Sequence, residues 1–497
     1  MWHRRLTSHR APPLRSFEPA SATEIQSLRR EGIKTEAWTG SVKILKVQII
    51  ESQEFLAGRR RIRRTKRNRL ATSSPANRSP FSRGLQRETK RAAVLSCAAK
   101  LFNTKGARST TLADVAGRLG LTKTSLYYYV ATKEDLIYQC YDANMRQAHA
   151  QLDAAEAAFD APYRCLMAFL ESQLDTTLSA LDGEGDYYAA PLEVASLKDE
   201  HRDALEGEYR RLSKRLITLL EQGIASGTIR PCNAVVTMRA MIGALDWSFY
   251  WLYEMPREQA ASVIGVLRDL FTLGLLNEPG SLASASDTAS LSLPVDEQAF
   301  DRDTQNRRKQ EAFLKAGTRC FNQKGFSGTS LDEIAEQLQV SKGAFYYYFV
   351  NKEALLTQCF DYTLDQLEGI VAGVERLDVT PGSKLDIACQ QIFALQNSDQ
   401  GPLVHFNAIT ALPPAVRQRL LARLAAVHAT LEQAVTDAIA CGEFRDLPAG
   451  IVIQLLTGAL NAAMDLGNWQ PIDDIDGSAA DYFSVFFQGL ATPTPQQ

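Results

Sequence analysis

The chain has 497 residues, of which 45% are apolar and 23% charged, with a formal net charge of −2. That is enough for two or three domains, each burying its own core, and it excludes disordered and fibrous classes. No apolar run approaches the roughly 20 residues of a membrane span. The eight cysteines form no C-x-x-C pair and the six histidines never fall at ligand spacing. No metal site, disulfide framework or cofactor is therefore expected, and a reducing, cytoplasmic setting fits.

The near-neutral sum conceals an asymmetry. Residues 1–85 hold 19 Lys/Arg against 6 Asp/Glu, so the rest of the chain sums to about −15. This basic stretch, densest at 59–69, lacks hydrophobic periodicity and reads as a solvated tail or a phosphate-tracking arm. Its six acids make a poor transit peptide, and a downstream start codon would remove it altogether. Within it, 42–50 reads as a short strand or helix without an assignable role. From about 86 to 277 the chain reads as consecutive amphipathic helices. A Ser/Ala/Asp-rich linker with Pro279 and Pro294 covers 278–303, and helical periodicity resumes from 304 to about 490 before a tail at 491–497.

An internal repeat organises the helical part. Residues 101–136 align without gaps on 320–355, with 15 of 36 pairs identical. Similarity fades in the middle and returns at an offset of 215, where Gly227 matches Gly442 and Gly243-Ala244-Leu245 matches Gly458-Ala459-Leu460. The whole unit is duplicated.

In each copy an apolar stripe predicts a first helix ending near Lys105-Gly106 or Lys324-Gly325. Thr111 with Asp114, and Ser330 with Glu333, predict capping boxes at the start of a short second helix. After a tight turn, Thr122 and Ser341 are expected to cap a third. Gln339 stands where the first copy has Gly120, which implies strain if the position is left-handed. Two short helices about four residues apart make a helix-turn-helix.

The third helices read Lys123-Thr124-Ser125-Leu126-Tyr127-Tyr128-Tyr129-Val130 and Lys342-Gly343-Ala344-Phe345-Tyr346-Tyr347-Tyr348-Phe349. Small residues and one lysine in the first turn allow close approach to a major-groove floor. Leu126, Val130, Phe345 and Phe349 are expected in the core, with Tyr127 and Tyr346 half-buried. Lys133 and Lys352, at the start of a fourth helix, suit a phosphate.

This run, from Phe102 to Leu136 and again from Phe321 to Leu355, resembles the DNA-binding domain of the TetR/AcrR family of transcriptional regulators. The resemblance implies an all-α fold of two tandem units. Each has a three-helix DNA-binding domain (86–137 and 304–356) and a helical effector and pairing domain (138–277 and 357–490). It implies base contacts from Lys123, Thr124, Ser125, Lys342, Gly343 and Ala344. It implies phosphate contacts from Thr111, Tyr128, Tyr129, Lys133, Ser330, Tyr347, Tyr348 and Lys352. Gly343-Ala344 offers little hydrogen-bonding chemistry, so the second reader is expected to rely on Lys342, methyl contacts and DNA shape.

The family's pairing helices correspond to 234–253 with 257–276, and to 449–466 with 479–490. The aromatic group Trp247, Tyr250 and Trp251 reads as core or interface. An effector pocket is expected among the middle helices, around Leu166–Phe169 or Leu403–Phe406. His405 and Asn407 are possible ligand-orienting residues there, or a satisfied polar pair. The partners implied are double-stranded DNA and an unknown small-molecule effector, with no membrane. The copies either fold together as an internal pseudo-dimer with heads roughly 34–36 Å apart, or two chains pair. No P-loop, nucleophile elbow or metal-ligand set supports an enzyme. The rival reading is a protein-interaction module that has lost DNA binding.

Overall fold

The computed structural model describes residues 87–191, 194, 197–278, 302–398 and 401–492. The basic extension 1–85, its 42–50 segment, nearly all of the 278–303 linker and residues 493–497 lie outside the described residues. Among the described residues the regular structure is helical, with two isolated β-bridges.

The first copy runs α1 (Arg87–Lys105), α2 (Leu112–Arg118), α3 (Lys123–Leu126), α4 (Lys133–Ala158), α5 (Pro162–Asp182), α6 (Asp199–Ala225), α7 (Ala234–Asp246), the single turns α8 (Ser248–Trp251) and α9 (Arg257–Ala260), and α10 (Val263–Leu273). The second runs α11 (Arg302–Gly328), α12 (Leu331–Gln337), α13 (Lys342–Tyr348), α14 (Lys352–Glu375), α15 (Pro381–Gln396), α16 (Pro414–Ala440), α17 (Ala449–Ala463) and α18 (Ile475–Gln488). The two long pairing helices expected at 234–253 and 257–276 are each divided in two.

The first helix of each copy stops where the glycine predicts. Gly106 has φ 82° and Gly325, which kinks α11, has φ 66°. Behind each glycine a buried threonine closes the turn. Thr110 Oγ1 donates to the Gly106 carbonyl at 3.0 Å, and Thr329 Oγ1 to the Gly325 carbonyl at 2.8 Å.

α7 and α17 cross where Gly243 faces Gly458. A Cβ on Gly458 would lie 2.6 Å from the Gly243 carbonyl oxygen and 2.9 Å from the Ala244 Cα. Only hydrogen at both positions permits so close an approach. α10 and α18 complete the seam, and their ends exchange backbone hydrogen bonds reciprocally. Leu275 N–H donates to Phe486 and Leu276 N–H to Phe487, while Leu490 N–H donates to Phe271 and Ala491 N–H to Thr272, all at 2.8–3.0 Å. The bridges Ile229–Ala491 and Leu276–Phe444 repeat the relation. For each contact, the two residues' counterparts, 215 positions away, meet each other in the same way. That reciprocity defines an isologous contact, here within one polypeptide.

The cores divide unequally. The core of the second helix-turn-helix is continuous with that of both helical bodies. The first head has a separate core, including Leu101, Val115, Leu126 and Tyr141, closed by Ala189, Leu197 and Leu205. Each head is tied to a body loop by one asparagine. Asn103 accepts from Ala190 N–H and donates to Tyr188 O; Asn322 accepts from His405 N–H and donates to Leu403 O.

Candidate nucleic-acid interface

In the first head α2 starts with a complete capping box. Thr111 Oγ1 accepts from Asp114 N–H at 3.1 Å, and Asp114 Oδ2 accepts from Thr111 N–H at 2.8 Å. These bonds from the Thr111 amide and hydroxyl hold the Asp114 carboxyl below the usual range. The second head departs from the expected box. Ser330 makes no side-chain cap, and the Glu333 carboxylate that would return the second bond pairs with Lys324. The turns after α2 and α12 match. Gly120 has φ 68° and Gln339 has φ 55°, so the glutamine holds the left-handed position that the sequence flagged.

Thr122 Oγ1 caps α3 by accepting from Ser125 N–H at 3.1 Å. Leu126, Val130, Phe345 and Phe349 are buried, as expected. This anchoring turns Lys123, Thr124, Lys342 and Gly343 outward, all exposed, with Ser125 partly so. Of Ala344 only the helical backbone is described. Tyr128 and Tyr347 stand 77% and 83% exposed. The inward member of each tyrosine triplet is not the expected one. Tyr127 and Tyr346 are exposed, whereas Tyr129 and Tyr348 are partly buried, Tyr348 packing on Phe313 at 5.2 Å between ring centres. Helical spacing explains the correction, since residues three and four after the buried Leu126 and Phe345 share their face.

The heads differ in charge. Lys123 has no ion pair among the described residues. Lys342 lies 2.6 Å from Asp332, whose counterpart in the first head is Ala113, and that hydrogen bond holds the lysine above its usual pKa. The lysines expected as phosphate donors at the fourth helix also brace the fold. Lys133 Nζ donates to Arg108 O at 2.6 Å, and Lys352 Nζ to Thr329 O at 2.8 Å.

The heads also touch each other, which sequence reasoning missed. The Arg108 guanidinium lies 4.3 Å from the centre of the Phe326 ring, and Lys352 Nζ lies 4.6 Å from it. Burial, with Arg108 close by, pulls the Lys352 ammonium below its ordinary pKa. The signal was present as the pair Ala107-Arg108 aligned on Phe326-Ser327, but nothing local marked it as a contact.

Residues 94–140 and 313–359 both match the model for bacterial regulatory proteins of the tetR family, and 176–275 matches a tetracyclin repressor-like C-terminal domain. The chain carries two tandem tetR-family DNA-binding domains. Among relatives, it is 42% identical over 60 residues to the uncharacterized HTH-type transcriptional regulator YuxN of Bacillus subtilis, covering 12% of this chain and 21% of that protein. It is 25% identical over 156 residues to YfiR of the same organism, covering 31% and 74%. It is 37% identical over 51 residues to the negative transcriptional regulator IcaR of the biofilm operon in Staphylococcus epidermidis, covering 10% and 28%. The match thus spans about a fifth of YuxN's own length. Solved relatives include a TetR/AcrR regulator from Thermobifida fusca (26% identity, 36% of this chain and 95% of that one, TM-score 0.29). Another is AibR in complex with isovaleryl coenzyme A and operator DNA (24%, 36% and 98%, TM-score 0.32).

A large cavity among the described residues meets the expected placement only in part, through His405 of the 403–406 stretch. Leu166 and Phe169 are buried core. Around Leu403 and Phe406 there is a void of only about 40 Å³, close to the size of a single water. The large cavity, of about 690 Å³, opens at the seam, where Gly243 faces Gly458. Beside it Arg239 donates to Tyr209 Oη at 2.7 Å and lies 3.5 Å from Asp465 and 3.9 Å from Asp246. Burial pushes Asp246 up to about 6. Burial would raise Asp465 too, but the His405 hydrogen bond and the charges of His405 and Arg239 hold it below the carboxylate range. His405 Nε2 is 3.4 Å from Asp465, while its buried Nδ1 has no hydrogen-bond partner. His405 is therefore only half of a satisfied pair, and the Asn407 side chain lies outside the described residues.

Proposed function

We propose that this chain is a sequence-specific DNA-binding regulator, repressing in the manner of its relative IcaR, whose two unequal heads read one operator and whose grip is relieved by a small molecule. The observation that carries this reading is that both copies keep an outward-facing first turn and an exposed middle tyrosine on the third helix. Thr124, Ser125 and Lys123 supply donors and acceptors for base edges in one head. Lys342, with Gly343 and Ala344, supplies one charge and close backbone approach in the other. Tyr128, Tyr129, Tyr347 and Tyr348 carry hydroxyls toward phosphates, with Lys133 and Lys352 behind them; Thr111 and Ser330 sit at the amide-rich starts of α2 and α12.

The reciprocal seam and the Arg108–Phe326 contact favour the internal pseudo-dimer, with one chain spanning successive major grooves roughly 34–36 Å apart. The operator then has only approximate dyad symmetry. Effector binding shifts the population toward a head spacing that no longer fits. Selection of binding sites from random duplexes, followed by footprinting and mass determination of the complex, tests this. One chain on an imperfect palindrome is expected. A strict palindrome holding two chains overturns the pseudo-dimer, and affinity that stays flat with salt overturns DNA binding itself.

A further inference from the structure

We propose that the seam cavity binds one aromatic cation per chain, held by Asp246 against Trp247 and Trp469. Only the effect of that ligand on DNA rests on the regulator reading; its occupancy does not. The cavity volume falls in the usual range for small-molecule sites.

The charges around it choose the sign of the ligand. Arg239 is already engaged by Tyr209 and both aspartates, and its side chain is 8% exposed. Its Nε has no hydrogen-bond partner but is buried, and the second lining arginine, Arg210, is paired with Glu206, so neither has much to offer an anion. Asp246 has only the 3.9 Å approach of Arg239, and 49% of its side chain is exposed where it lines the cavity. That carboxylate is the undercompensated group, and a cation is what compensates it. Indole faces attract cations as well as planar hydrocarbon, and Trp247 and Trp469 both line the cavity.

The stoichiometry follows from the tandem architecture. The cavity lies across the pseudo-dyad, so the counterparts Gly243 and Gly458, Asp246 and Asn461, and Trp247 and Ala462 all line the same space. A symmetric dimer would place a carboxylate on each side; here one side is carboxylate and tryptophan, the other amide and alanine. One oriented ligand fits. It would also touch both heads' supports. Tyr141, Met145 and Leu205 belong to the first head's core, and His405 bonds through its backbone to Asn322 of the second.

The test uses three matched probes on the full chain without DNA: naphthalen-1-ylmethylammonium, naphthalen-1-ylmethanol and 1-naphthoate, followed by titration calorimetry. The ammonium probe is expected to bind at one per chain and at least ten-fold tighter than the carboxylate. Asp246→Asn should reduce ammonium affinity at least ten-fold and leave the alcohol within two-fold, while Asp246→Glu retains the preference. Asn461 shows that an amide fits at the matched position. Two ligands per chain, equal or tighter binding of naphthoate, an unaltered Asp246→Asn variant, or no binding by any probe would overturn the proposal. Cation binding by a chain that ignores DNA supports this site and removes the regulator reading; DNA binding without cation binding does the reverse.

Discussion

Replacing Gly458 by alanine places a methyl group 2.6 Å from the Gly243 carbonyl oxygen, 2.7 Å from the Trp247 Cβ and 2.9 Å from the Ala244 Cα. Favourable carbon contacts lie near 3.5–4.0 Å, so α7 and α17 must separate by about 1 Å. Two of the three obstacles are backbone atoms and cannot rotate away. Overpacking of this kind costs about 1–3 kcal/mol. The same change gains about 0.8–1 kcal/mol of helix propensity, leaving a net loss of up to about 2 kcal/mol. Gly369, exposed in the middle of α14 with nothing within 4 Å of its would-be Cβ, is the internal control. Gly369→Ala should stabilise by about 0.5–1 kcal/mol through propensity alone. Urea titrations followed by circular dichroism and by tryptophan fluorescence should therefore move in opposite directions for the two variants. If Gly458→Ala stabilises as much as Gly369→Ala, the close crossing is wrong and the relation between copies must be reconsidered.

Further substitutions probe the heads and the buried groups. Lys123→Ala should weaken operator binding more than Lys342→Ala, because Asp332 already occupies the second lysine; anisotropy titrations against operators varied at single positions should show base preference relaxing more for the former. Asp332→Ala should tighten binding several-fold by releasing Lys342, and an unchanged affinity would count against its role as a reader. Gln339→Gly should raise stability by about 1 kcal/mol, since a side chain no longer holds the left-handed φ of 55°; a lower melting temperature would argue otherwise. His428 lies partly buried beside Thr457, and desolvation lowers its pKa from 6.5 to about 4. The stability it contributes is complete above pH 6.5 and is lost as pH falls through about 4, amounting to at most about 3 kcal/mol. His428→Asn should flatten that acid limb in pH-dependent melts.

Much of the head was legible because local rules specify it. The glycines at 106 and 325, the cap at Thr111 and the apolar stripe through Leu126 and Val130 each follow from short-range geometry. The failures came where a distant charge competed with a local rule. Ser330 has the capping-box sequence, but Glu333 is claimed by Lys324 across the turn. The tyrosine triplet carries no composition signal for its inward member; only the register set by Leu126 and Phe345 decides it. Of the cavity only the His405 side was legible, for a related reason. Arg239 and Asp246 lie seven apart on the otherwise apolar α7, which hinted at a shared buried purpose, yet their partners Tyr209 and Asp465 come from other helices and the other copy. Pairing across 226 positions leaves no local trace.

The reciprocal backbone bonds between the ends of α10 and α18 join two halves of a single polypeptide. Dilution cannot part them, so the paired form persists at a few copies per cell, where a two-chain assembly held by similar contacts would dissociate. Covalent continuity also frees each side to drift alone. An Asp at 246 can face an Asn at 461, whereas a twin-subunit protein must accept every amino-acid replacement on both sides of its axis at once.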